Sequence, residues 1–324
     1  MASIKDIAKQ AGVSISTVSY ALNGSTKVTE ETAAKIVAIA KELNYVPNAA
    51  ARSLKKRETN IIGVFLTNYG GAFYGQLLQG IQDTLSSKGY EMIVCSGKES
   101  HRFIPERMID GAIVLDYYFS SAELIRHADA GHKIVVMDRE LTHPNINQVL
   151  LHNTSGATLA IDYLIEKGHR KIYAITGPEG SYDATQRIDA VRQSVARYSD
   201  IEYQELPGDF NKPAGEKAAE QITKNFTTPV AVFCLNDEMA IGMYNYLAKT
   251  KYEVGKDIHI IGFDNIELTH YTQPRLATID YSERKWGAVS AEHLLKLIAN
   301  EKAENERIYV TLIPGESVGN ISSN

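Results

Sequence analysis

From Asn60 onward the chain repeats one pattern, a short run of uninterrupted apolar residues followed by an amphipathic segment. IIGVFLT, EMIVC, GAIVL, KIVVM and NQVLL occupy the first half of this stretch, and KIYAIT, PVAVFC and IHIIGF the second. Between them lie segments with helical spacing, such as YGQLLQGIQDTLSSKG and GATLAIDYLIEKG. A strand open to water on one side alternates polar and apolar residues. One that is apolar throughout is covered on both faces, as in a parallel sheet between layers of helix. The pattern predicts an α/β fold, and so many βα units exceed one comfortable sheet. Two Rossmann-like lobes facing each other across a cleft are expected, with any ligand beyond the carboxyl ends of the strands.

Residues 3–23, SIKDIAKQAGVSISTVSYALN, read as two short helices joined by a tight turn. Ile4, Ile7, Ala8 and Ala11 recur at the spacing of one buried helical stripe. Gly12 suits the left-handed residue that ends a helix, and Ser14 the N-cap of the next. In that next helix Val18, Ala21 and Leu22 face inward, leaving Ser16, Thr17, Ser19, Tyr20 and Asn23 outside. A helix showing small and polar side chains at that point is shaped to enter a major groove, so a DNA-binding helix-turn-helix is predicted. Thr29 caps a third helix whose apolar stripe is Ile36, Val37, Ala40 and Leu43. Pro47 breaks the pattern. NAAARSLKKR (48–57) is then a short basic helix candidate, marginal alone in water and ordered only when docked.

Charge divides at the same boundary. Residues 1–57 hold nine Lys and Arg against four Asp and Glu, net +5, which leaves −10 on the rest of a chain whose total is −5. A basic head neutralises phosphates while an acidic body stays off the DNA. Cys95 and Cys234 both sit in apolar runs and are expected as buried thiols, not as a disulfide. MASIKDIAK carries charges where a signal peptide needs an apolar core, and no run reaches the roughly 18 apolar residues of a membrane helix. A cytoplasmic protein with no membrane partner is expected. The first strand is not followed by GxGxxG, and HExxH, C-x-x-C and the GxxxxGK phosphate loop are missing. His101, His127 and His132 share no helical face. Neither catalysis, a cofactor nor a metal is expected.

Taken in order, IKDIAKQAGVSISTVS, ELNYVPNAAARSL, IIGVFLT, MIDGAIVL, VVMDR, KGHRKIYAITGP, NDEMAIG, GFDNIEL and QPRLATID resemble the lactose-repressor/galactose-repressor (LacI/GalR) family of bacterial regulators from end to end. The resemblance implies an N-terminal all-α helix-turn-helix DNA-binding domain, residues 1–57, with a hinge helix over about 48–56. It implies a periplasmic-binding-protein-like effector-binding and dimerisation domain over 58–324. Of its two lobes, the first takes about 61–153 and 283–313, the second about 154–282 and 314–324. It further implies a homodimer that represses a carbohydrate operon from a palindromic operator and shifts its DNA affinity when a small sugar enters the cleft. The C-terminus ENERIYVTLIPGESVGNISSN has no heptad leucines, which argues against a coiled-coil tetramer.

Carried over residue by residue, the resemblance puts Ile15, Ser16, Ser19, Tyr20 and Asn23 on the reading helix. Tyr20 stands where relatives commonly have Arg, so a half-site altered at the base pair beneath it is expected. A tyrosine ring presses on a thymine methyl where arginine would grip guanine with two bonds. Lys5, Lys27, Thr29, Thr32, Tyr45 and Asn48 match positions that meet phosphates, which position without specifying. Arg52 and Leu54 fall on the hinge helix, Leu54 as a minor-groove wedge. Ala49, Ala50 and Ala51 are small enough for two such helices to approach.

A polyhydroxylated ligand needs carboxylates and amides, an arginine fork, and aromatic faces for its CH side. At predicted strand ends stand Asp138 and Arg139, Asn236 and Asp237, and Asp264 and Asn265. Arg187, Asn236 and Asp264 match positions the family directs into the cleft. Phe73, Tyr74 and Phe210 supply candidate rings. Trp286 is expected in the core or a subunit interface. His152 stands where relatives often have an acid. The helices YGQLLQGIQDTLSSKG and that around Trp286 are the expected dimer faces. Two other controls stay open. One is a phosphorylated carrier protein, for which Lys88 and Lys98 make no evident patch; the other is a purine or nucleoside.

Overall fold

The chain divides into two units, residues 1–59 and 60–324. The computed structural model describes residues 2–46, 58–227 and 229–321. The Ser3 backbone N–H and hydroxyl donate to the Asp6 carboxylate at 2.8 and 2.7 Å, fixing the start of α1 (Ile4–Ala11). Gly12 ends that helix at φ +71°. Ser14 caps α2 (Ile15–Leu22), its hydroxyl oxygen accepting from the Thr17 amide at 3.1 Å. Thr29 caps α3 (Glu30–Glu42) in the same way. Ile7, Ala8, Ala11, Val18, Ala21, Ile36, Ile39 and Ala40 form the core of this unit.

One expected core residue is absent from it, since Val37 is 51% exposed. Ile36, Ile39, Ala40 and Leu43 make the i, i+3, i+4, i+7 stripe, and Val37 lies about 100° round the helix from Ile36. The hinge helix over 48–56, and with it Asn48, Ala51, Arg52 and Leu54, lies outside the described residues.

The second unit runs β1 (Ile61–Leu66), α4 (Tyr74–Ser87), β2 (Glu91–Ser96), β3 (Gly111–Leu115), α5 (Ser121–Asp129), β4 (Lys133–Val136) and β5 (Ile146–Leu151). It continues through α6 (Asn153–Glu166), β6 (Lys171–Ile175), α7 (Tyr182–Val195), β7 (Glu202–Leu206), α8 (Lys212–Lys224), β8 (Val230–Cys234), α9 (Asp237–Leu247) and β9 (Ile258–Ile261). It ends with β10 (Thr278–Asp280), α10 (Glu283–Ile298), β11 (Glu306–Ile308) and β12 (Thr311–Ile313). A six-stranded parallel sheet in the order β11-β5-β4-β3-β1-β2 builds the first lobe, and a four-stranded parallel sheet, β7-β6-β8-β9, the second.

The chain passes between lobes after β5, after β10 and after β11. β12 pairs antiparallel with β10, which in turn bonds to the end of β9, the Gly262 and Asp264 amides donating to the Ala277 and Ile279 carbonyls. Residues 311–313, grouped with the first lobe in the sequence reading, therefore hydrogen-bond to the second.

Cys95 and Cys234 are free and buried. No helix among the described residues is long and apolar enough to cross a membrane. The two helices expected as dimer faces, α4 and α10, pack on one another. A Cβ at Gly80 would sit 2.0 Å from the Arg284 carbonyl oxygen, and one at Gly287 2.2 Å from that of Leu77. One flank of each is thus used within the chain.

Candidate functional site

The exposed side of α2 is a compact polar and aromatic surface. Ile15 and Tyr20 are 45% and 38% exposed. Ser16 and Asn23 stand in solvent, with Thr17 and Ser19 half-buried beside them. Lys27 Nζ lies 5.0 Å from the centroid of the Tyr20 ring, so ring and cation form one patch. Several neighbouring polar groups already have partners within the unit. The Thr17 hydroxyl is 2.8 Å from that of Ser14, Asn23 Nδ2 donates to the Ser19 carbonyl at 2.7 Å, and the Thr29 hydroxyl donates to that of Thr32 at 2.9 Å. Lys5 is exposed, and Tyr45 packs against the core of the unit.

In the second unit a cavity of about 310 Å³ opens between the lobes at the carboxyl ends of their strands. Phe73, Tyr74 and Asp138 line it from the first lobe, and Arg187, Phe210, Asn236 and Asp264 from the second. Arg187 is 3% exposed. Its Nε donates to Asn153 Oδ1 at 2.8 Å and its Nη1 to the Leu235 carbonyl at 2.6 Å, while its guanidinium lies 3.6 Å over the Phe263 ring. Asp264 Oδ1 is 3.7 Å from Arg187 Nη1 and accepts from the Tyr281 hydroxyl at 2.9 Å.

Burial pushes the Asp264 carboxyl up to about 7, against the pull of Arg187 and the Tyr281 hydrogen bond. Its backbone sits at φ +115°, and Phe210 at φ +66°, conformations that side-chain-bearing residues hold only when their surroundings impose them. Asn236 caps α9: its Oδ1 accepts from the Met239 amide at 3.1 Å and its Nδ2 donates to the Phe210 carbonyl at 3.0 Å. It therefore ties the aromatic loop to the helix start.

Arg139 corrects the sequence reading. It does not line the cavity; Nε and Nη2 donate to Asp138 Oδ1 and Oδ2 at 2.8 and 2.9 Å, and the guanidinium also donates to the Phe119 and Asp116 carbonyls. Alternation along the chain sends Asp138 into the cleft and Arg139 behind it, as a fork that orients the carboxylate. Asp237 also turns inward, accepting from the Thr278 hydroxyl at 2.7 Å and the Ile266 amide at 3.1 Å. Asn265 donates to Asp280 at 2.8 Å.

Trp286 lies in the core, as expected, and its ring also reaches the floor of the cleft. It is 1% exposed, its indole N–H donates to the Val149 carbonyl at 2.7 Å, and its ring packs edge-on to Phe73 and Tyr281. His152 stacks on Tyr309 outside the cavity.

Several lining residues were not singled out in the sequence. Asp183 accepts from Asn153 Nδ2 at 2.6 Å and lies one turn before Arg187 on α7, a same-face spacing that could have flagged it. Glu238, on α9, joins the lobes: its Oε1 accepts from the Ala72 amide of the first lobe at 2.7 Å, while its Oε2 pairs with Lys212 at 2.7 Å. Tyr74 lies among Asp116, Asp138, Asp183 and Asp264, and burial together with these carboxylates pushes its phenol up to about 12.

The histidines read as scattered do meet in space. His101 stacks on Phe119 with ring centroids 3.5 Å apart, His127 lies edge-on to Phe119, and His132 edge-on to His127. Among the described residues no group of three His, Cys, Asp or Glu side chains is placed to hold a metal ion.

Comparison with known proteins adds independent findings. Residues 3–48 match the model of "Bacterial regulatory proteins, lacI family", and residues 161–318 that of a "Periplasmic binding protein-like domain". The chain is 33% identical over 324 residues to the ribose operon repressor of Escherichia coli K12, spanning 97% of this chain and 98% of the relative. Its structure is similar to that of a sugar-binding transcriptional regulator from Enterococcus faecalis, with 52% identity and a TM-score of 0.77 over 81% of this chain and 99% of that one. It is also similar to a lac repressor dimer bound to operator and the anti-inducer ONPF, with 26% identity and a TM-score of 0.83 over 98% and 99% of the two chains.

Proposed function

The chain belongs to the LacI family of bacterial regulatory proteins, and from that premise we propose a non-catalytic, cytoplasmic repressor of a carbohydrate operon that binds a palindromic operator as a homodimer. Its operator affinity is set by a small sugar held in the cleft between the lobes. The observation that carries this reading is the convergence of Asp138 from one lobe with Arg187 and Asp264 from the other, beside the rings of Phe73, Phe210 and Trp286. Carboxylates and a guanidinium satisfy hydroxyl groups, and the aromatic faces take the apolar side of a sugar ring. A cavity of about 310 Å³ is at the small end for ligand sites, which suits one ring.

Because the site is split between lobes, a sugar that binds both walls favours one lobe angle over others. It shifts the DNA affinity only by its preference between those states. On the DNA side Ile15, Ser16, Thr17, Ser19, Tyr20 and Asn23 read bases. Lys5, Lys27, Thr29, Thr32, Tyr45 and Asn48 meet phosphates, and Ala51, Arg52 and Leu54 act in the hinge helix. The test is binding to a fluorescent palindromic operator library with and without a panel of sugars. Sequence-selective binding that changes with one sugar is the expected result; selective binding indifferent to every sugar overturns the effector half of the proposal.

A further inference from the structure

The charges on the cleft walls do not balance, and the imbalance sits on one residue. Asp138 is held by the fork of Arg139, Glu238 is paired with Lys212, and Asp264 faces Arg187. Asp209 stands exposed at the mouth, where water screens it. Asp183 lines the cavity yet makes no ion pair among the described residues; its one hydrogen-bond partner is the neutral amide of Asn153. Its backbone lies in the first turn of α7, where the helix dipole favours a negative charge. Burial pushes its carboxyl upward, partly opposed by Arg187, and the same field opposes ionisation of Tyr74 opposite.

We infer that Asp183 is the specificity-determining residue of the cleft: its unbalanced charge refuses phosphorylated sugars and other anions while its free oxygen accepts a hydroxyl of a neutral sugar. This rests on the sugar reading of the cleft and adds to it the class of sugar admitted. A phosphate dianion brought into the cavity meets a carboxylate with no cation of its own. Arg187, the one guanidinium on the wall among the described residues, has its Nε and Nη1 engaged with Asn153 and the Leu235 carbonyl and faces Asp264, which leaves Nη2 as its remaining donor. Like charges at such range in a poorly screened site weaken binding by about 100-fold or more.

The experiment is calorimetric titration of the full chain with matched pairs: ribose and ribose 5-phosphate, glucose and glucose 6-phosphate, fructose and fructose 6-phosphate. Asp183→Asn, which keeps shape and removes charge, is titrated alongside, with Asp183→Ser as a second variant should the first fail to fold. The expected result is a neutral sugar that binds about 100-fold or more tighter than its phosphate, with that ratio shrinking about tenfold or more in the variant. A phosphorylated member that binds the unaltered chain as tightly as its parent overturns the inference, as does a ratio that neither variant moves. In both cases the sugar reading survives. If no member of any pair binds, the sugar reading falls and the inference with it.

Discussion

On the head, Ile15, Ser16, Tyr20 and Asn23 come from a single helix and its end, and they stand in solvent. In the cleft, Phe73, Asp138, Arg187, Asn236 and Asp264 come from loops and helices far apart in sequence, and nearly all are bonded to neighbours. The residues proposed to read DNA contribute little to the head's core, which rests on Ile7, Val18, Ile36 and their neighbours. The residues proposed to bind in the cleft are also its framework. A change on the head therefore alters what is bound; a change in the cleft alters what is bound and whether the walls hold.

The sharpest way to break this contrast is Arg187→Ala. It strands Asp264 and the Leu235 carbonyl in a buried site, and removing one partner of such a pair costs about 3–5 kcal/mol. Denaturant unfolding of the second unit measures it, and a loss below about 1 kcal/mol would show that the cleft tolerates substitution as the head does.

Acidity separates the two regions next. The head contains no histidine, whereas His169 in the second lobe is pushed down to about 4, first by burial and then by His259 beside it. The folded chain thus binds this proton less readily than the unfolded one. The stability this group contributes is complete above its ordinary value of 6.5 and is lost as pH falls toward 4, by up to about 3 kcal/mol. Asp264 and Glu283, pushed up to about 7 and about 8 by burial, act with the opposite slope. Comparing unfolding between pH 7 and 4.5 in the parent chain and in His169→Gln cancels them; equal slopes in the two proteins would remove His169 from the account.

The smallest effect on folding belongs to Tyr20→Arg. Operator selection should move toward guanine at one base pair by about 1–3 kcal/mol, while the unfolding midpoint of the head stays within about 0.5 kcal/mol. A large loss of stability would mean that the ring, with Lys27 above it, supports the head after all.

Legibility follows the same division. The caps at Ser14 and Thr29, the glycine at position 12 and the inward stripe of α2 depend on neighbours in sequence, and each was readable there. The apolar strands β1, β3 to β6, β8 and β9 were readable because both their faces are covered, and the half-buried edge strand β2 because of its apolar run MIVC. β7 was not, because EYQEL is an edge strand with one face in water, and β10, β11 and β12 are too short to establish a pattern. In the cleft the strand-end rule found Asp138, Asn236 and Asp264. It could not tell Asp138 from Arg139, or Asn236 from Asp237, because which neighbour faces the cavity is decided by turns that long-range packing sets. Glu238 escaped because its role exists only across the gap between lobes, whereas Asp183 could have been found from its spacing to Arg187.

The three passages between lobes also govern the order in which the protein can be made. The first lobe's outer strand β11 and the second lobe's β12 both lie in residues 306–313, close behind one another. Ser317 then bonds to Ile260 and Ala277, and Gly319 to His169 and His259, within the second lobe. On the ribosome the head has its whole core after some forty residues. The first lobe's sheet gains its outer strand, and the second lobe its β10–β12 ribbon, only when these last segments emerge. A chain cut short before residue 306 would lack an element of each lobe at once, β11 from the first and β12 from the second.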